Sequence, residues 1–164
     1  MSRPKHRPPR PRRHHARLPT PHPLITTHGV NAPTIKRYAV ACFQSALLTI
    51  TAGRKPTQEE WRELADCPNT LEALVDLGKL TREVMPIVEA ALAALAACAE
   101  RFIAGQSLRL DGPGLDAMRR CIELYEECAA HLDVWEMAQA ERRVMREVEK
   151  ARAAGFKGMK VIAI

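Results

Sequence analysis

Residues 114–154 read GLDAMRRCIELYEECAAHLDVWEMAQAERRVMREVEKARAA. This stretch has no proline and no glycine after its first residue, and it is rich in strong helix formers. Apolar residues recur in its first half at spacings of three and four, the pattern of a helix packed against other helices. They are Leu115, Met118, Ile122, Tyr125, Ala129 and Leu132. We therefore predict one long helix over 114–154, about 60 Å in length at 1.5 Å per residue.

The second half of this predicted helix carries fewer apolar residues among many charges. The simplest interpretation is a solvated face of alternating acidic and basic residues. A helix of that length is too long for one small domain to cover, so we favour a role in self-association or in binding a helical protein partner. The residues predicted to contact a helix of another copy or of a partner are Trp135, Val144, Met145 and Val148, and we call them the seam.

The middle of the chain predicts several shorter helices. Thr57 and Glu60 form a capping-box pattern, Pro68 is expected to break the helix that follows, and Pro86 predicts a kink or a restart. The predicted helices are 34–52, a short one from 57, 71–77, and 87–104 after Pro86, ahead of the long helix. The fold class is therefore all-α, with four to five bundle-like helices over 34–155 and a short apolar tail over 156–164.

Residues 1–33 differ in composition from the rest of the chain. They contain eight of the twelve prolines, seven lysines or arginines and five of the six histidines. Proline prevents regular backbone hydrogen bonding, and the segment has little apolar surface to bury, so we predict a disordered basic arm. No acidic residue precedes Glu59; the first 58 residues carry a charge of +11 and the remainder −5.

A basic arm on a mildly acidic body is typical of an interaction segment joined to a folded unit. We favour nucleic acid as its target, because lysine and arginine bind backbone phosphates without regard to sequence. Three alternatives stay open: the arm binds an acidic protein surface, it binds the body of its own oligomer, or it is a solubilising tail with no partner. The predicted phosphate-binding residues are Arg3, Lys5, Arg7, Arg10, Arg12, Arg13 and Arg17. Outside the arm, Arg54 and Lys55 are the other expected contacts.

The segment from Thr57 to Gly78 has the outline of a helix-turn-helix, with two short predicted helices around a turn. Its second helix would have to lie in the major groove. Glu72 and Asp76 would then face phosphates, so we interpret both helices as packing elements.

Five dispersed cysteines form no Cys-x-x-Cys pair, which predicts reduced, buried thiols in a cytoplasmic protein. Cys121, Cys128 and His131 fall close to one helix face and could ligate a metal. We favour the interpretation of small buried thiols beside a histidine, and predict no metal and no cofactor.

The sequence contains neither a phosphate-binding Gly-x-x-x-x-Gly-Lys loop nor a His-Glu-x-x-His zinc motif, and we expect a protein that is not an enzyme. Its most apolar stretch, 85–99, contains Pro86 and Glu89 and is shorter than the roughly 20 residues of a membrane span. No membrane association is therefore predicted.

The opening run from Arg3 to Pro11, RPKHRPPRP, precedes an alanine- and leucine-rich helical body. In this layout the chain resembles small hypothetical proteins encoded by bacteriophages and prophages. The resemblance implies a bacterial cytoplasm as the setting and a role in phage regulation or host takeover. It implies no catalytic or binding residue.

Overall fold

The computed structural model describes residues 32–155, with side chains from Lys36 onward except that of Gln58. Five α-helices and one 3-10 turn (Arg82–Val84) occupy this part of the chain. The helices are α1 (Ala32–Thr51), α2 (Gln58–Asp76), α3 (Met85–Ile103), α4 (Gly112–His131) and α5 (Val134–Ala153). No strand occurs among these residues, and the predicted all-α class with five helices is confirmed. The predicted arm, apart from its last two residues, and the tail 156–164 lie outside the described residues.

Helices α1–α4 form a closed ring. Each packs against its neighbours in sequence, α1 packs against α4, and α2 also meets α4 across the middle. The α1–α2 and α3–α4 loops come together at one end, where the Arg109 side chain lies against Gly53. At the other end, the Lys36 ammonium donates to the backbone carbonyl of Leu132. This is the arrangement of an up-and-down four-helix bundle.

The interior of the ring is built mostly from leucine, alanine and cysteine. The Sγ atoms of Cys67 and Cys121 are 3.9 Å apart where α2 meets α4. The rings of Phe43 and Tyr125 join α1 to α4 edge to face, with centroids 4.9 Å apart. Small side chains let the helices approach closely, in keeping with an aromatic content of only 4%.

The prediction of one long helix over 114–154 is wrong. Helix α4 ends at His131, Leu132 has extended backbone (ψ 151°), and α5 starts after Asp133. Asp133 and Glu136 form a capping box: the Asp133 carboxylate accepts from the Glu136 N–H at 2.7 Å, and the Glu136 carboxylate accepts from the Asp133 N–H at 3.1 Å. These bonds satisfy donors that a new helix start leaves unpaired. The chain can therefore turn, and α5 packs on the outside of α2.

The expected break at Pro68 is also wrong, because α2 continues through it. Proline inside a helix removes one hydrogen bond and costs about 3 kcal/mol. Leu64, Cys67, Pro68 and Leu71 are all fully buried in the ring. We attribute the continuity of α2 to the burial of this apolar face, which a break would disturb.

Other local predictions are confirmed. The Thr57 hydroxyl accepts from the Glu60 N–H at 3.1 Å, and the Glu60 carboxylate accepts from the Thr57 N–H at 2.7 Å. Pro86 lies in the first turn of α3, directly after the 3-10 turn. Its missing N–H removes no helical bond there, so the chain restarts rather than kinks. None of the described helices combines the length and hydropathy that crossing a membrane requires.

Candidate nucleic-acid interface

All seven predicted phosphate-binding residues of the arm, from Arg3 to Arg17, lie outside the described residues. The structure does describe where the arm joins the body. Helix α1 begins at Ala32, and its first turns lie beside the α4–α5 junction through the bond from Lys36 to Leu132. The arm therefore enters the body at that end of the bundle.

Four basic side chains lie at the opposite end, around the α1–α2 and α3–α4 loops. Arg54, Lys55 and Arg109 are exposed, and Arg101 is half-buried. We call Arg54, Lys55, Arg101 and Arg109 the basic end. Of these four residues, only Arg54 and Lys55 were predicted from the sequence to contact nucleic acid.

Specific contacts hold the basic end in place. Arg101 Nη2 donates to the Arg109 carbonyl at 2.9 Å, which links the end of α3 to the following loop. The Arg109 guanidinium lies against Gly53, so close that a Cβ at Gly53 would fall 2.6 Å from Nη2. The ammonium of Lys55 is 5.6 Å from the ring centroid of Phe102, within the range of a cation–π contact.

Two carboxylates at this end serve as helix caps. Asp111 accepts from the Gly114 N–H at 2.8 Å and lies 3.9 Å from Arg101 Nη1. The pKa of Glu60 lies below its ordinary value, chiefly because the Thr57 backbone N–H donates to it, and also because of the Thr49 hydroxyl and the charge of Arg54. Glu60 therefore stays ionised at neutral pH, and further acidic residues, Glu59, Glu100 and Asp116, lie on the adjoining helix turns.

The predicted seam on α5 is not a single face. Trp135 is 60% exposed and Met145 is 44% exposed, whereas Val144 is half-buried against the core and Val148 is half-buried. Val144 follows Trp135 by nine residues, which at 3.6 residues per turn places it on the opposite side of the helix. Val144 therefore belongs to the interface with this chain's own bundle. Trp135 faces away from it, with Arg142 stacked 4.6 Å from its ring centroid.

The cysteines lie in or near the core of the described part. Burial raises the pKa of the Cys67, Cys98 and Cys128 thiols, so they stay protonated at neutral pH. A protonated thiol is a poor nucleophile and a poor metal ligand. Among the described residues, no group of three or more His, Cys, Asp or Glu side chains is placed to hold a metal ion, and this includes Cys121, Cys128 and His131.

Two half-buried carboxylates, Asp66 and Glu141, lie where α5 meets α2, and neither was predicted from the sequence. Burial raises the pKa of Asp66 to about 6, with the charge of Glu63 adding to it and that of Arg62 opposing it. Burial raises the pKa of Glu141 to about 7, and the charge of Asp66 raises it further against the opposing charge of Arg142. In the sequence, both residues stand among other charged residues of a helix, so nothing distinguished them from ordinary exposed carboxylates.

Comparison of the chain with models of protein families, with curated proteins and with solved structures gives no match.

Proposed function

We propose that this protein is a non-enzymatic accessory or regulatory protein whose basic arm binds nucleic acid through backbone phosphates. The observation that carries the proposal is the division of charge along the chain. Every acidic residue lies at or after Glu59, and seven lysines or arginines stand between Arg3 and Arg17. Such a segment attracts a polyanion over a longer range than it attracts a mixed protein surface.

The composition of the arm also specifies the mode of binding. No aromatic residue precedes Tyr38, so the arm itself has no side chain on which bases could stack. Binding is therefore electrostatic and independent of sequence. We place the protein in a bacterial cytoplasm and assign it a phage or prophage origin, on the layout of the arm and body alone.

The test measures binding of the full chain to a fluorescent random-sequence 24-base-pair duplex, by anisotropy over a series of salt concentrations. Phosphate contacts from about six of the seven arm cations would give a slope of log affinity against log salt near −5 to −6. Replacing Arg7, Arg10, Arg12 and Arg13 by glutamine should abolish binding at low salt or reduce the slope by about three to four units.

A control variant separates this effect from net charge. Arg82, Arg119, Arg120 and Arg146 are exposed on the body, and replacing them by glutamine removes the same charge. This control should keep most of the wild-type slope. Equal affinity of the arm variant and the wild type would overturn the proposal.

One observation favours a second candidate function, a helical adaptor or a self-associating protein. Trp135 is 60% exposed at the start of α5, and large aromatic side chains on a surface are common anchors of protein interfaces. Native mass spectrometry of the wild type and of Trp135→Glu tests it. An oligomer that Trp135→Glu dissociates supports the adaptor, and a monomeric wild type that binds duplex through its arm rules out self-association.

A further inference from the structure

The junction between α4 and α5 differs from the other junctions between the described helices. The first three junctions each contain a glycine with positive φ, namely Gly53, Gly78 and Gly105. Each also has a proline directly before the next helix or in its first turn. Such a glycine ends a helix and such a proline begins one, so these breaks are written into the sequence. The junction at Leu132 and Asp133, which we call the hinge, contains neither residue.

A small backbone change would make the hinge helical. Leu132 has φ −81° and ψ 151°, and Asp133 has φ −80° and ψ 168°. Both φ angles are close to the helical value of about −63°, so mainly the two ψ angles would have to rotate, toward about −42°. The straight hinge would place both residues inside one continuous helix.

The bent and the straight hinge both provide hydrogen-bond partners for the backbone. In the bent hinge, Asp133 and Glu136 cap α5 reciprocally, and Lys36 donates to the Leu132 carbonyl. A straight hinge would lose these three bonds. It would gain the bonds between the N–H groups at the start of α5 and the carbonyls at the end of α4, which separate helix termini leave unpaired.

We infer that α4 and α5 join into one helix in a second arrangement of this chain, in which α5 docks on α2 of a second copy. Exchange of an identical element between two copies is a low-cost route to a dimer. The inference goes beyond the proposed function and does not rest on nucleic-acid binding by the arm.

The surface of α2 under α5 fits the α5 of a second copy because it already fits its own. Glu136 pairs with Lys79, and Arg143 pairs with Asp76, each at 2.8 Å. A second copy carries the same side chains in the same order, so a swapped dimer would keep these contacts. The two arrangements then differ mainly at the hinge and in the entropy of association.

Helix α5 is also the described helix that can leave its own chain with the least loss of packing. It packs mainly against α2, whereas each helix of the ring packs against at least two others. Its buried residues are only Met137, Ala140 and Ala151. Its 20 residues would extend about 30 Å beyond the end of α4 when the hinge is straight. That length brings α5 to a second bundle related by a two-fold axis at the hinge.

The first experiment determines which chains α5 and α2 belong to. Unlabelled full chain and full chain labelled with heavy nitrogen are mixed in equal amounts, unfolded in urea and refolded at high protein concentration. A carbodiimide then joins the Lys79 amine to the Glu136 carboxylate as an amide, and takes up the water that is lost. In swapped dimers, about half of these links should join a labelled to an unlabelled peptide by mass spectrometry. A chain whose α5 stays on its own α2 gives no such mixed links.

Two substitutions at the hinge should shift the equilibrium in opposite directions. Asp133→Ala removes a cap that only the bent hinge uses, and alanine favours the continuous helix. Because each dimer has two hinges, its association constant by sedimentation equilibrium should rise at least about tenfold. Val134→Pro suits the first position of a separate α5 but disrupts a continuous helix. It should lower the association constant more than about a hundredfold.

Asp111→Ala is the matched control for loss of a cap. Asp111 caps α4 as Asp133 caps α5, by accepting from the N–H three residues later. Its junction keeps Gly105 and the proline that follows Gly112, so α3 and α4 cannot join. The control should lower the melting temperature without producing mixed links. Circular dichroism of each variant shows whether the helices are retained.

Each outcome decides for or against the swapped dimer. Mixed links in the wild type that increase in Asp133→Ala support it. Their absence from both proteins would overturn it, and so would an equal increase in Asp111→Ala. If Val134→Pro fails to fold, these comparisons decide alone; if it folds and keeps the mixed links, the straight hinge is wrong. A dimer with unmixed links that Trp135→Glu dissociates would also overturn the inference, in favour of the adaptor. Duplex binding by the arm is measured separately, so the proposed function can fail or stand on its own.

Discussion

Glu141 and Asp66 are the described carboxyl groups whose pKa is raised, in both cases chiefly by burial. A carboxyl group that folding buries holds its proton to higher pH than it does in the unfolded chain. For Glu141 the ordinary pKa of 4.5 rises to about 7. The folded state then binds more protons than the unfolded state between these values, and stability falls as pH rises through this window.

We predict that Glu141→Gln stabilises the protein at pH 8 and has little effect at pH 4.5. Glutamine has nearly the shape of the protonated glutamate and cannot ionise. At one pKa unit per 1.4 kcal/mol, and with allowance for the partial exposure of Glu141, the gain at pH 8 is about 2 kcal/mol. Thermal unfolding from pH 4.5 to 8 measures it, with the exposed Glu126→Gln as control. A gain that is the same at both pH values would contradict the assignment.

At the scale of helices, the sequence predicted the all-α class and a count of four to five helices, yet two errors in the predicted boundaries cancelled in that count. Pro68 was expected to divide α2, and the run of helix formers around Asp133 was expected to join α4 to α5. Local rules assign a helix propensity to each residue separately. Burial of Leu64 and Leu71 kept α2 continuous through Pro68. The reciprocal hydrogen bonds of Asp133 and Glu136 separated α5 from α4. The Asp-x-x-Glu pattern was present in the sequence, but it was hidden among residues that favour helix.

Because the chain turns before α5, that helix packs on the bundle with Val144 against the core and Trp135 facing away. A pair of substitutions tests this arrangement. Val144→Glu places a charge against the bundle and should lower the free energy of unfolding by about 2 to 4 kcal/mol. Trp135→Glu, on the opposite side of α5, should change it by no more than about 0.5 kcal/mol beyond the loss of its contact with Arg142. Urea denaturation measures both. Similar large losses for the two variants would show that Trp135 also lies in the packed interface.

At the scale of the whole molecule, the site was harder to predict than the fold. The charge of the arm is a property of contiguous sequence and was visible at once. The basic end joins Arg54 and Lys55 to Arg101 and Arg109, some fifty residues later in the chain, and only the closure of the helix ring brings them together. Pairing of distant loops depends on topology, which residue patterns alone do not specify.

In this topology, α5 is held by fewer contacts than the four helices of the ring. Each helix of the ring contacts at least two others, whereas the packing of α5 is mainly against α2. The buried residues of α5 are Met137, Ala140 and Ala151, two of them alanines, compared with seven buried residues in α4. Its ion pairs, Lys79 with Glu136 and Asp76 with Arg143, are both 2.8 Å long but partly exposed, and such pairs contribute at most about 1 kcal/mol each.

We therefore predict that α5 opens without global unfolding. In native-state hydrogen exchange, amides of α5 should exchange with a smaller opening free energy than those of α2 and α4 in the ring. The difference should grow from pH 5 to pH 8, after correction for intrinsic exchange rates, because ionisation of Glu141 at the α2 interface weakens the docking of α5. Glu141→Gln should remove that growth while leaving the ring amides unchanged. Equal opening free energies in α4 and α5 at both pH values would mean that the five helices unfold as one cooperative unit.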